Sequence, residues 1–159
     1  MLKAEDNGGG CLMSLEENKA LIRSLYEADN KKDLSILDEL ISPDFVDPTF
    51  QLRGPKSYKQ FETLFFRGFP DWHETIEDIV AEGDTVWVRF TGTGTHRGEW
   101  RGLAPTGTKI TFHGVQIWRI ADGKVVEKAS IIDLLDALKQ LGVIEYTEKA
   151  KTLFLEDVS

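Results

Sequence analysis

The residues able to do proton or ligand chemistry in this sequence are scattered rather than gathered into one motif. His73, His96 and His113 lack the short spacings of metal ligands and no HExxH pattern occurs, so no dedicated metal site and no cofactor are expected. Cys11 is the only cysteine, which leaves no internal disulfide and no cysteine-built zinc site. His73 and His96 fall at strand beginnings or bends, where a histidine serves either a ligand or the fold; His96 is kept as a candidate ligand contact. Asp47, between Phe45 and Pro48, reads either as a pocket acid or as a turn former. Asp133, just before Leu134 and Leu135, reads either as a base or as the N-cap of a helix. The glycines near positions 83 and 123 belong to turns, and there is no phosphate-binding loop.

Bulk properties narrow the partners. The 159 residues suit one domain, with 41% hydrophobic and 29% charged residues, and nine Phe and four Trp supply a core. A net charge of −8, with Lys and Arg dispersed among acids, argues against nucleic acid or an anionic membrane as partner. No apolar run approaches the roughly 18 residues of a membrane span. A reducing, cytoplasmic compartment is expected, and an apolar or aromatic small molecule is the expected ligand. Residues 1–13 differ from the rest, with a Gly8-Gly9-Gly10 run shortly before Met13. Glycine codons begin with two guanines, so the run fits a translated ribosome-binding site and a bacterial start at Met13; a disordered tail is the alternative.

The elements that must position these residues follow from periodicity. Ser14 and Glu17 form a capping-box signature ahead of a helix over residues 15–30. Asp33 caps a short second helix in which Leu34, Leu37, Leu40 and Ile41 share a face, closed by Pro43. Gly54-Pro55 opens a third, with Tyr58, Phe61, Leu64 and Phe65 on its apolar face. Strands follow over residues 73–81, from Val86 toward His96, 109–120 and 124–132. Tight hairpin turns join them at Glu82-Gly83-Asp84 and Ala121-Asp122-Gly123. Gly92, Gly94 and Gly98 suggest bends or bulges, and a closing helix from Leu134 ends at Gly142. Helices followed by an antiparallel meander define an α+β domain over residues 14–145, a curved sheet wrapped around helices as a half-open cone with a cavity inside. Residues 146–159 read as a tail.

The strings Phe69-Pro70-Asp71, Ala81-Glu82-Gly83-Asp84, Gly94-Thr95-His96-Arg97-Gly98-Glu99, Pro105-Thr106-Gly107, Arg119-Ile120-Ala121-Asp122-Gly123-Lys124 and Gln140-Leu141-Gly142 resemble the SnoaL-like polyketide cyclases, or ester cyclases. These are cones of the nuclear-transport-factor-like superfamily. The resemblance implies a homodimer and an intramolecular aldol ring closure without metal or cofactor. In that chemistry a carboxylate on the last strand removes a proton α to a carbonyl, and polar neighbours steady the enolate oxygen.

Carried over residue by residue, the family's catalytic aspartate falls on Ser130, a catalytic histidine on Gln116 and an asparagine on Asp47. Serine has no useful proton affinity near neutral pH, so Asp47 or the nearby Asp133 is the expected base. Strand parity puts Phe112, Gly114, Gln116 and Trp118 on one face, and Val126, Lys128, Ser130 and Ile132 on another. If Ser130 faces the cone, Gln116 and Trp118 do too, whereas His113 and Glu127 face outward. Gln116, Ser130, Trp118, Tyr26 and His96 are thus the expected ligand contacts; Phe61 and Phe65 read as core, and Trp87 and Trp100 as further aromatic candidates. Two functions stay open: a cyclase or isomerase acting on a carbonyl-bearing apolar compound, and a non-catalytic binding protein using the same pocket.

Overall fold

A computed structural model describes residues 14–155. The N-terminal segment 1–13 and the reading of Met13 as a start lie outside them. Helix α1 (Leu15–Lys31) opens with the expected capping box: Glu17 N–H donates to Ser14 Oγ and Ser14 N–H to Glu17 Oε2. A short α2 (Leu37–Leu40) leads to β1 (Ile41–Asp47), then β2 (Leu52–Arg53), α3 (Gly54–Gly68), β3 (His73–Glu82), β4 (Thr85–Thr95), β5 (Lys109–Ala121), β6 (Lys124–Ile132), α4 (Leu134–Gln140) and α5 (Glu148–Leu155). The last of these is helical within the segment that reads as a tail.

The strands form one unclosed sheet in the order β2-β1-β6-β5-β4-β3. Its pairs are antiparallel except β1 with β6, which are parallel because α3 and the meander β3–β5 intervene before the chain returns. Ile41 is therefore the first residue of a strand, not the end of a helical face. Pro43, which has no N–H to give a ladder, sits in the irregular stretch between the paired residues Ile41 and Val46.

Two further expectations change. Gly92 and Gly94 lie in an unbroken β4–β5 register, so they are not bulges. They are small because Trp72 lies across them: a Cβ on Gly92 would stand 2.2 Å from Trp72 Cζ2, and one on Gly94 2.8 Å from Cε3. Real register shifts fall at Glu77, between Ile76 and Asp78, and at Val126, opposite the Arg119–Ile120 step. The shift at Val126 puts Val125 into the core in its place while leaving Lys128 and Ser130 inward. The Asp122-Gly123 turn has both residues at positive φ, 49° and 74°, as a two-residue hairpin with right-handed strand twist requires.

Packing divides into two parts. Ile22, Leu25 and Tyr26 of α1 meet Phe45, Tyr58, Val86, Val88 and Trp118. Phe69, Trp72, Ile110, Phe112, Ala137 and Leu141 make the other cluster. The closing helix is tied to β5 by Gln140, whose side chain accepts from Thr111 N–H at 2.8 Å and donates to Thr111 O at 2.9 Å. Gly92→Ala is expected to displace Trp72 and destabilise the domain by about 1–3 kcal/mol, measured by urea unfolding. An unchanged unfolding midpoint would refute the close-approach reason for glycine there.

Candidate active site

A cavity of about 830 Å3 opens between the concave sheet and α3. Phe61 and Phe65 line it from α3, Trp72, Phe90 and Phe112 from the sheet side, Trp100 and Leu103 from the β4–β5 connection, and Leu134, Leu138 and Val143 from the closing segment. Phe61 and Phe65, which read as core in the sequence, are therefore pocket walls. Trp87 is about half exposed (47%) and does not line the cavity.

Polar groups converge on this apolar chamber. Gln116 and Ser130 are cross-strand partners on β5 and β6, and both line the cavity. Gln116 Oε1 accepts from Tyr26 O–H at 2.6 Å, which fixes the amide and leaves its N–H2 as the donor end. Ser130 N–H donates to Thr49 Oγ1 at 2.9 Å, while the Ser130 hydroxyl has no partner among the described residues. Tyr26 and Trp118 are buried and lie behind the wall; their rings meet edge-on, with centroids 6.5 Å apart. They support the lining rather than form it.

The other expected site residues stand elsewhere. Asp47 is buried at the end of β1, where its Oδ1 accepts from Thr49 and Phe50 N–H, and it borders a separate groove with Arg53 and Glu127. Asp133 is exposed and caps α4, accepting from Asp136 N–H at 3.1 Å. His96 is fully buried, stacked on Phe69 at 5.1 Å, and its Nδ1 accepts from Thr106 N–H at 3.2 Å. None of the three lines the main cavity. His113 is exposed, in contact with Thr91 Oγ1.

The ionisable groups in the cavity wall are Glu62 of α3, Glu74 of β3 and Lys128 of β6, with Arg101 at the loop tip. Glu62 and Lys128 are 7% and 4% exposed. Burial holds the Glu62 carboxyl well above the usual carboxylate range, the negative charge of Asp29 raises it further, and Lys128 opposes the shift. Burial also raises Glu74, again opposed by Lys128. Asp29, behind the wall, is raised by burial and by the charge of Glu74, and its Oδ2 accepts from Tyr58 O–H at 3.2 Å. The Lys128 ammonium lies 5.0 Å from each of the Tyr58 and Trp118 ring centroids, on whose faces a cation is stabilised. Glu74 is pinned by Asn30, whose side chain bonds both its N–H (2.8 Å) and its C=O (2.9 Å).

Two carboxyl groups whose proton affinities are raised by burial, beside a buried cation and neutral donors, can pass a proton and stabilise an oxyanion. Sequence reading did not name these groups as site residues, yet three of them carried a signal. Glu62 lies four residues after Tyr58 and three before Phe65 on the apolar face of α3. Asp29 continues the Ile22-Leu25-Tyr26 stripe, and Lys128 shares strand parity with Ser130. Charges at apolar-face positions mark a lined cavity.

A carboxyl raised in the fold stays protonated there after its unfolded counterpart ionises. Stability from Glu62 is full below its ordinary value of 4.5 and is lost as pH rises through the higher native value. Glu62→Gln is expected to flatten that fall and to stabilise the protein at pH 8 by about 1 kcal/mol, read from urea unfolding across pH. Parallel pH curves for both proteins would contradict the raised carboxyl.

The cone and its lined chamber have relatives. The profile of the SnoaL-like polyketide cyclases matches residues 19–141, and the chain belongs to that family. It is 30% identical over 129 residues to the aklanonic acid methyl ester cyclase DauD of Streptomyces sp. (strain C5), covering 77% of this chain and 80% of that protein. It is 29% identical over 112 residues to the nogalonic acid methyl ester cyclase of Streptomyces nogalater, covering 67% and 83%. Among solved structures, AclR from Streptomyces galilaeus superposes with a TM-score of 0.75 at 34% identity, over 83% of this chain and all of that one (100%). TsrD from Streptomyces laurentii gives 0.77 at 25% identity, over 83% and 99%. Among the described residues no helix is long and apolar enough to cross a membrane.

Proposed function

We propose that this protein is a cofactor-free acid–base catalyst that closes a ring in a flat, apolar aromatic compound bearing a β-keto ester side chain and an acceptor carbonyl. The observation that carries this reading is the apolar cavity with Glu62, Glu74 and Lys128 in its wall beside Gln116 and Ser130. The names of the cyclase relatives, which specify the methyl esters of aklanonic and nogalonic acid, support the substrate class. Glu74, held in the cavity wall by the grip of Asn30 on its backbone, acts in its ionised form and takes a proton from the carbon α to the carbonyl. Lys128, Gln116 and Ser130 stabilise the resulting enolate oxygen. The enolate carbon then bonds to the acceptor carbonyl carbon, whose oxygen takes a proton from Glu62, and Glu62 is reset by the proton on Glu74. Every substrate atom is retained, so the product is an isomer.

Ring closure is tested by chromatography of such a compound incubated with the enzyme, looking for a product of unchanged mass. Conversion above the buffer rate supports the reading, and binding without conversion defeats it. That second outcome matches the alternative of a non-catalytic binding protein, which is favoured by Ser130 where the family resemblance puts an acid.

A homodimer in a reducing cytoplasm fits the same reading. Val80, Trp87, Ile117 and Ala129 align across four neighbouring strands on the outer sheet face, with Val80 61% and Trp87 47% exposed. Sedimentation is expected to give twice the 18.0 kDa chain mass, and Trp87→Glu is expected to give the single chain. A wild-type monomer would contradict the pairing.

A further inference from the structure

The connection between β4 and β5 reaches the cavity as a tight, preformed hairpin. His96 N–H donates to Thr108 O and Gly107 N–H to His96 O, each at 2.9 Å, which closes the base of the loop. Arg97 and Gly98 N–H both donate to Gly68 O, fastening the loop to the end of α3. At its tip Trp100 and Leu103 exchange backbone hydrogen bonds of 3.0 and 2.9 Å, and Gly102 N–H donates to Glu99 Oε1 at 2.9 Å. The two residues between them, Arg101 and Gly102, have φ of 49° and 82°.

Such a turn favours Asn, Asp or Gly at both positions, because a side chain at positive φ is strained. The first position here holds arginine. Its side chain is exposed, lines the cavity and makes no hydrogen bond or ion pair with another described residue; its guanidinium carbon lies 5.8 Å from the Trp100 ring centroid, a loose approach. The other exposed lining residues, Thr49, Gly102, Ile131, Leu134 and Val143, carry no charge. Gln116, Glu62 and Lys128, by contrast, are buried. The chamber is therefore polar at its inner end, aromatic along its walls and cationic at one point of its rim.

We infer that Arg101 is a specificity-determining residue that binds a carboxylate on the outer end of the substrate, while the reacting carbonyls lie at the inner end. The inference rests on the cavity being the binding site. A guanidinium presents a fixed fork of donors that matches a carboxylate, and its placement on a hydrogen-bonded hairpin lowers the ordering needed on binding. An ester at the same place offers neither the charge nor two equivalent oxygens.

The test compares anthraquinone-2-carboxylate with its methyl ester, titrated by quenching of the tryptophans, since Trp72 and Trp100 line the cavity. The wild type is expected to bind the acid about tenfold tighter than the ester, with the preference shrinking in 0.5 M salt. Arg101→Gly keeps the turn, because glycine accepts positive φ, and is expected to bind both probes with the wild type's affinity for the ester. An acid-to-ester ratio that is the same in wild type and Arg101→Gly overturns the role of Arg101 alone. Failure of both probes to bind the wild type overturns the cavity as a binding site, and the inference with it.

Discussion

Glu74→Gln is expected to lower kcat for ring closure by about a hundred- to ten-thousandfold, the usual contribution of a positioned general base, with ligand affinity unchanged. Glutamine preserves the size of the side chain and an oxygen to accept from Trp72 Nε1–H, now 3.4 Å from Glu74 Oε1. It removes the proton affinity and the negative charge that goes with it. Position is not at risk, because Asn30 grips the backbone of residue 74 on both sides. Glu62→Gln is expected to slow the reaction too, by removing the proton delivered to the new hydroxyl. The two variants separate in pH dependence: loss of the base abolishes the rise of rate with pH, and loss of the acid abolishes the alkaline fall.

Phe69→Ala is expected to be among the most damaging core substitutions, costing about 3–5 kcal/mol in urea unfolding and about 10 °C in Tm. Phe69 is fully buried between the cavity wall and the loop base. Its ring stacks on Phe65 at 5.1 Å and on His96 at 5.1 Å, and meets Trp72 and Trp100 edge-on at 6.0 and 5.5 Å. Truncation leaves a void that these rings, held by α3, the sheet and the loop, fill only in part. Because Phe65, Trp72 and Trp100 all line the cavity, ligand affinity should fall together with stability. A variant that loses stability but binds normally would show that Phe69 does not shape the site. A loss of less than 1 kcal/mol would show that the cluster collapses around the void.

Most of the architecture was legible from local chemistry. The capping box at Ser14, the turns at Gly83 and Gly123 and the alternation along β4 and β5 are short-range signals, and they placed the elements to within a residue or two. What escaped was long-range. The parallel pairing of β1 with β6 depends on a crossover that periodicity does not encode. Gly92 and Gly94 looked like bends because nothing local reveals that Trp72 packs on them. The site was half legible: parity on β5 and β6 brought Gln116 and Ser130 to one wall, where their cross-strand pairing sets them. Tyr26 and Trp118 were expected to touch ligand, but they stand one layer behind, because helix α1 fills the space on that side of the sheet. The acids drew attention to the ends of elements, Asp47 and Asp133, where a carboxylate also satisfies backbone N–H groups. Glu62, Glu74 and Asp29 instead interrupt otherwise apolar faces, and the burial that raises their proton affinity comes from the tertiary fold.

The central claim is that carboxyl groups in the cone remove a proton next to a carbonyl. It is tested most directly by 1H NMR in D2O with an aromatic ketone bearing an α-methylene. Wild-type protein, with the ketone bound, should speed the loss of the methylene signal well beyond the buffer rate, and Glu74→Gln should bind the ketone without doing so. Exchange at the buffer rate in wild type saturated with ketone, or equal acceleration by Glu74→Gln, would contradict it.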